Sequence, residues 1–298
     1  MTRRSATLAG FAAIAMWALL ALFTAASGRV PPFQLAAMTF LVGSLIGLIW
    51  LLATSRWRDL VQPWRVWLLG VAGLFGYHAL YFTALRNAPP VEAGLIAYLW
   101  PLLIVVFSAL LPGEILRWFH LAGAGLGLAG TVLIVSRGGT IQFDPQFTSG
   151  YGAALACALT WSVYSVSSRR FADVPSGVVA GFCLATALLS TIAHLLFETT
   201  VWPDGASEWL AVLGLGLMPV GAAFYVWDIG VKRGDIQLLG VVSYAAPLLS
   251  TLILILFGFG DFTLKIGIAA LLITAGALLA SLPMVRRGPV YRRKSSNH

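Results

Sequence analysis

The stretch YLWPLL, residues 98–103, returns as YAAPLL at residues 244–249. Each copy sets a proline inside a long apolar run. Proline in a helix interior removes one backbone hydrogen bond, clashes with the preceding turn and costs about 3 kcal/mol. A fault kept twice points to two copies of one element. Sliding the sequence by 146 aligns Gly94 with Gly240, Tyr98 with Tyr244, Pro101 with Pro247, Arg86 with Lys232 and Gly130 with Gly276. Sliding by 144 aligns Trp17 with Trp161 and Pro31 with Pro175. Matches of Leu and Ala carry no weight in apolar helices, but matched Pro, Tyr, Gly and Trp do. Two nearby offsets in chain order read as one duplication of about 145 residues.

The composition says what is duplicated. Of 298 residues, 59% are hydrophobic and 10% charged, against roughly 25% charged in a soluble domain. Apolar runs of about 20 residues, enough to cross a bilayer as helices, recur throughout. We read spans at 7–27, 33–53, 65–86, 91–111, 118–136, 150–170, 176–197, 209–231, 236–257 and 263–285. The expected fold is an all-α polytopic membrane protein of ten transmembrane helices. Residues 1–140 form the first five-helix repeat, 141–288 the second, and 289–298 a basic cytoplasmic tail. Five is odd, so the second copy enters the membrane from the opposite side, giving inverted-topology repeats. The N-terminus has the basic and apolar regions of a signal peptide. Its apolar run is long for one, and its repeat partner is a full helix, so it reads as the first span.

The net charge of +8 does not indicate nucleic-acid binding, because the basic residues lie in short loops between apolar runs. With the N-terminus inside, the inner segments hold fifteen: Arg3, Arg4, Arg56, Arg58, Arg65, Arg117, Arg169, Arg170, Lys232, Arg233, Arg286, Arg287, Arg292, Arg293 and Lys294. The outer segments hold four: Arg29, Arg86, Arg137 and Lys265. This bias predicts that both termini are cytoplasmic. Cys157 and Cys183 lie in apolar segments, with no metal-ligand or disulfide pattern.

Energy-coupling groups are scarce. There is no phosphate-binding P-loop. Glu92 sits in the first turn of the fourth span, where an acid complements the helix dipole. Asp228 lies four residues before Lys232 and reads as an ordinary helical ion pair. Glu114 and Asp261 fall in loops. His78, near the middle of the third span, is the one ionisable acid or base so placed. It reads as a cavity-lining group, a proton carrier or a neutral imidazole bonded to a neighbouring helix.

Trp50, Trp57, Trp64, Trp67, Trp118, Trp202 and Trp209 fall at span ends, as interface anchors do. Trp17, Trp100 and Trp161 fall near span centres. Tyr77, Tyr81, Tyr98 and Tyr244 are also deep, with Phe224 and Trp227 at the repeat equivalents of His78 and Tyr81. Their polar handles need partners that lipid cannot supply. They either line a cavity or pack between helices. Gly43 with Gly47, and Gly123 with Gly127, have the spacing for close helix approach, within the bundle or in a dimer.

Ten spans in two opposed halves, with a Tyr-x-x-Pro-Leu-Leu element in the fourth and ninth, resemble the drug/metabolite transporter superfamily in its ten-helix, EamA-type branch. The resemblance rests on ALRNAPPVEAGLIAYLWPLLIVVFSALLPGE and GVKRGDIQLLGVVSYAAPLLSTLILILFGFGD. It implies a bacterial inner-membrane exporter of amino acids and related metabolites. It also implies a central cavity lined by Tyr77, His78, Tyr81, Tyr98, Trp100, Phe224, Trp227 and Tyr244. The four-helix members carry a glutamate in the first helix; IAMWALLAL here has no acid, which argues against proton-coupled export of organic cations. The expected mechanism is alternating access down a gradient. Aromatic or large apolar amino acids are the favoured cargo, with Trp17 and Trp161 added to the wall. Pro101 and Pro247 are expected as hinges, freeing the carbonyls of Ala97 and Ser243. The alternatives are another cargo (a nucleotide-sugar, lipid or hydrophobic cation) and an intramembrane enzyme, which lacks the required paired groups. No cofactor or metal is expected. The partners expected are a small-molecule substrate and the bilayer, with the chain a monomer or weak homodimer.

Overall fold

The computed structural model describes residues 1–136, 139, 141–258 and 261–286. Arg137, Arg287, Arg292, Arg293, Lys294 and the 289–298 tail lie outside the described residues. Ten long helical segments follow one another, and no strand occurs among the described residues. They are α1 (Arg3–Ala26), α2 (Pro32–Ala53), α3 (Trp64–Asn87), α4 (Pro90–Leu110), α5 (Trp118–Val135), α6 (Thr148–Ser168), α7 (Ser176–Phe197), α8 (Gly205–Arg233), α9 (Ile236–Leu256) and α10 (Leu264–Arg286). Among the described residues nine are long and apolar enough to cross a membrane, all but α6. The reason is composition. α6 has 21 residues, rich in Ser and Thr, and hides its hydroxyls against neighbours. Ser162 Oγ donates to the carbonyls of Trp100 (3.0 Å) and Ala158 (2.7 Å).

The packing repeats under exchange of the halves. α1 packs on α8 and α6 on α3, which are images of each other; α2 packs on α7 and α5 on α10, each pair its own image. The ion pairs give the direction. Arg3, at the start of α1, bonds Glu114 just beyond α4 (3.2 Å) and Asp235 just before α9 (3.2 Å). Arg169, just beyond α6, bonds Glu114 at 2.8 Å. α1 and α9 therefore start at the end where α4 and α6 finish. Each helix runs opposite to its image, as an inverted repeat requires.

The small residues sit inside the bundle. A Cβ on Gly43 would lie 2.8 Å from Gly221 Cα, and one on Gly123 would lie 2.7 Å from the Gly276 carbonyl oxygen. Gly47 faces Tyr225, and Gly127 faces the Tyr244 ring. These faces join helices of one chain; they are not a dimer surface. The expected interface tryptophans are exposed, except that Trp67 packs edge-on to Phe182. Arg56, Arg58 and Arg65 lie over the rings of Trp50, Trp57 and Trp64.

The prolines do not stand inside continuous helices. α4 breaks at Tyr98–Leu99 and resumes as Trp100–Phe107; α9 breaks at Ser243–Tyr244 and resumes as Ala245–Leu256. Pro101 and Pro247 thus fall in the first turn of a new half-helix, where a missing N–H costs nothing. The expected freed carbonyl at Ser243 is also corrected, since it accepts from Ala246 N–H at 3.1 Å. Three further irregularities follow, and only the last, which holds Pro219, contains a proline. α1 breaks at Ala18–Leu19. α3 and α8 each hold a wide π-type turn, Ala72–Gly76 and Met218–Ala222. The two turns are related by the same 146-residue offset as the prolines.

Candidate functional site

The irregular segments converge on the middle of the bundle. The wide turn in α3 inserts an extra residue, and such turns often mark functional sites. Directly after it come Tyr77, His78 and Tyr81. His78 Nδ1 lies 2.7 Å from the Leu74 carbonyl. A carbonyl only accepts, so Nδ1 carries the hydrogen, and in the neutral form of the ring Nε2 is then the acceptor. The imidazole is held edge-on by Phe40 (5.0 Å), Tyr77 (5.2 Å) and Phe224 (6.3 Å between ring centres).

Trp17, at the end of the first half of α1, forms the hub. Its ring lies 5.0 Å from Trp227, 5.7 Å from Trp161 and 6.2 Å from both Trp100 and Phe224. Trp161 also meets Tyr77 at 5.4 Å, and Tyr77 stacks on Tyr81 at 6.1 Å. Each such pair contributes about 0.5–1.5 kcal/mol beyond its buried area. The Trp17 indole N–H donates to the Pro219 carbonyl in the wide turn of α8 (3.1 Å), and that of Trp227 donates to Ser165 Oγ (3.1 Å). The indole N–H groups of Trp100 and Trp161 have no hydrogen-bond partner among the described residues. Trp17, Tyr77, His78, Tyr81 and Tyr98 are half-buried; Trp100, Trp161, Phe224 and Trp227 are buried. Tyr98 stands beside Tyr81 and Tyr77, and the Cys157 thiol adjoins the Tyr77 hydroxyl.

The structure therefore brings together nine of the ten aromatic or histidine residues singled out from the sequence. Tyr244 is not among them. It is fully buried against Gly127, and its hydroxyl accepts from Leu102 N–H at 3.2 Å. Sequence reasoning missed Phe40, which stacks on Phe224 at 5.5 Å, although its depth in the second span was a usable signal. It also missed Ser162 and Ser165, which nothing in the hydropathy marks. A groove of about 280 Å³ between α3 and α6, lined by Leu69, Gly73, Thr160, Val163 and Tyr164, contains none of the ten.

Charge is confined to the two ends. At the Arg3 end, the ion pairs described above are joined by Arg169 donating to the carbonyls of Val231 and Gly234. At the opposite end Glu198, with its side chain 2% exposed, accepts from Phe33 and Gln34 N–H at the start of α2. It also pairs with Arg86 (2.8 Å) and His194 (3.0 Å). An anion there also meets the positive end of the α2 dipole. The helical ion pair read at Asp228 and Lys232 is present, and it is buried. Their side chains are 2% and 4% exposed and 2.8 Å apart. Ser176 Oγ donates to Asp228, and Lys232 donates to the Val174 carbonyl.

Similarity agrees with the arrangement. The model of the EamA-like transporter family matches residues 4–136 and again 148–282. The chain is 60% identical over 284 residues to the aromatic amino acid exporter YddG of Ancylobacter novellus, covering 95% of this chain and 99% of that protein. It is 25% identical to the YddG of Escherichia coli, covering 97% and 100%. A solved crystal structure with 59% sequence identity superposes with a TM-score of 0.91, covering 96% of this chain and all of that one. On the double match, the relatives and the shared fold, this chain is a member of the EamA-like transporter family.

Proposed function

We propose that this protein exports amino acids with aromatic or large apolar side chains across a bacterial inner membrane by alternating access. In this reading all ten helices span the membrane, both termini are cytoplasmic, and the chain works as a monomer or weak homodimer. The observation that carries the proposal is the ring cluster. It is apolar, crosses both halves of the chain, and keeps a few polar handles uncommitted, as small-molecule sites do. The rings take the cargo side chain. The indole N–H groups of Trp100 and Trp161 and the hydroxyls of Tyr81 and Tyr98 suit a carboxylate. The acceptor His78 Nε2 suits an ammonium group. The cluster holds no Lys or Arg, which disfavours a phosphorylated cargo, and no Asp or Glu, which favours transport down a gradient.

Purified protein in liposomes tests this. Saturable uptake of labelled phenylalanine or tryptophan without a pH gradient is expected, with competition from other large apolar amino acids and none from nucleotide-sugars. Strict dependence on a pH gradient would overturn the uncoupled mechanism, and uptake of a phosphorylated metabolite alone would overturn the cargo.

A further inference from the structure

Helices α4 and α9 meet along one half only. At the Arg3 end, Ile236–Val242 packs on Trp100–Phe107. There a Cβ on Gly240 would lie 2.8 Å from Val105 Cγ2 and 3.0 Å from the Pro101 carbonyl oxygen, and the Tyr244 hydroxyl takes Leu102 N–H. At the Glu198 end, Pro90–Ala97 and Ala245–Leu256 make no comparable contact. Under the 146-residue correspondence every contact at the closed end has an unmade counterpart at the open one. Gly94 answers to Gly240, Pro247 to Pro101, Thr251 to Val105, Tyr98 to Tyr244 and Leu248 to Leu102. A Cβ on Gly94 meets nothing nearer than Val135 Cγ1 at 3.8 Å, and Tyr98 is half-buried.

We infer that the opposite-facing state exchanges these two sets. Gly94 then packs on the Pro247 carbonyl and Thr251, and the Tyr98 hydroxyl takes Leu248 N–H. Gly240 and Tyr244 release Pro101 and Leu102. The inference rests on the alternating-access reading. In an inverted repeat each half adopts in one state the conformation its image has in the other, so rocking exchanges equivalent contacts about the fixed middle. The helix starts carry the same asymmetry. The second half of α4 begins at Trp100, whereas that of α9 begins at Ala245, the equivalent of Leu99, one position earlier. Leu102 N–H is thereby left to the tyrosine in α4. The exchange moves each start by one residue and hands the free N–H to Leu248. The two tyrosines of the repeated motif are thus alternate latches.

Disulfide trapping between Gly94→Cys and Thr251→Cys tests this in membranes, with each single variant as a control for the buried native Cys157 and Cys183. A cross-link that forms only in the double variant is expected. Adding Tyr244→Phe, which removes the present latch, should raise the trapped fraction about fivefold, the equivalent of one neutral hydrogen bond. Adding Tyr98→Phe should lower it by a similar factor. No cross-link in either the double variant or its Tyr244→Phe form overturns the exchange, as does a trapped fraction that neither tyrosine variant changes. The readout needs no cargo. A normal trapping pattern in protein that transports no amino acid would leave the latches standing and remove the cargo reading.

Discussion

Tyr98 and Tyr244 hold the same place in two copies of one element, yet they do different things. Tyr98 is half-exposed beside the aromatic cluster, whereas Tyr244 is sealed behind α5 with its hydroxyl on the backbone of α4. The local sequence explains what they share, a break followed by a proline in a first turn. It does not explain the difference, which comes from which half of α4 meets which half of α9. Equivalence in sequence marks equivalent elements. Inequivalence in structure marks the conformational state.

The comparison can be broken at several depths. The largest effect is expected at Lys232 and Arg86, which align at offset 146. Lys232→Ala strands the buried Asp228 and should cost about 3–5 kcal/mol. Arg86, with its side chain 45% exposed, leaves Glu198 its backbone and histidine partners, so Arg86→Ala should cost about 1 kcal/mol or less. Thermal unfolding in detergent reads the contrast, and equal losses would deny that the second pair is the buried one. Next come the paired glycines. Gly240→Ala pushes a methyl group into Val105 and the Pro101 carbonyl and should cost about 1–3 kcal/mol. Gly94→Ala meets open space and should stabilise this state by up to about 1 kcal/mol through helix propensity. The same melting experiment measures both, and matching signs would contradict the one-sided contact. The smallest effect belongs to the tyrosines. Tyr244→Phe should lower the stability of this state by about 1 kcal/mol, while Tyr98→Phe should leave its melting temperature unchanged.

Much of this was legible in the sequence, and the rest was hidden for identifiable reasons. Apolar run length located all ten helices, and rare matched residues exposed the duplication. Depth along a span found nine residues of the cluster. The break at Ala18–Leu19 was invisible because WALLALF holds neither Pro nor Gly. The wide turn at Ala72–Gly76 was hidden because one extra residue in a turn barely alters hydropathy, whereas Pro219 in its image, Met218–Ala222, was a usable signal that sequence reasoning passed over. The spacing of Asp228 and Lys232 showed the helical ion pair but not its burial, which comes from the packing of α7 against α8. Tyr244 was misplaced because span depth says how far a side chain lies from water and nothing about the helix it faces.

The central claim is that the aromatic cluster is where cargo binds. Its most direct test is initial-rate uptake of labelled phenylalanine into liposomes by the parent protein, His78→Ala and Trp100→Ala. The account predicts at least about a tenfold loss in each variant, since removing one ring contact and its polar handle is worth about 1.4 kcal/mol or more. Unchanged uptake in both folded variants would contradict it.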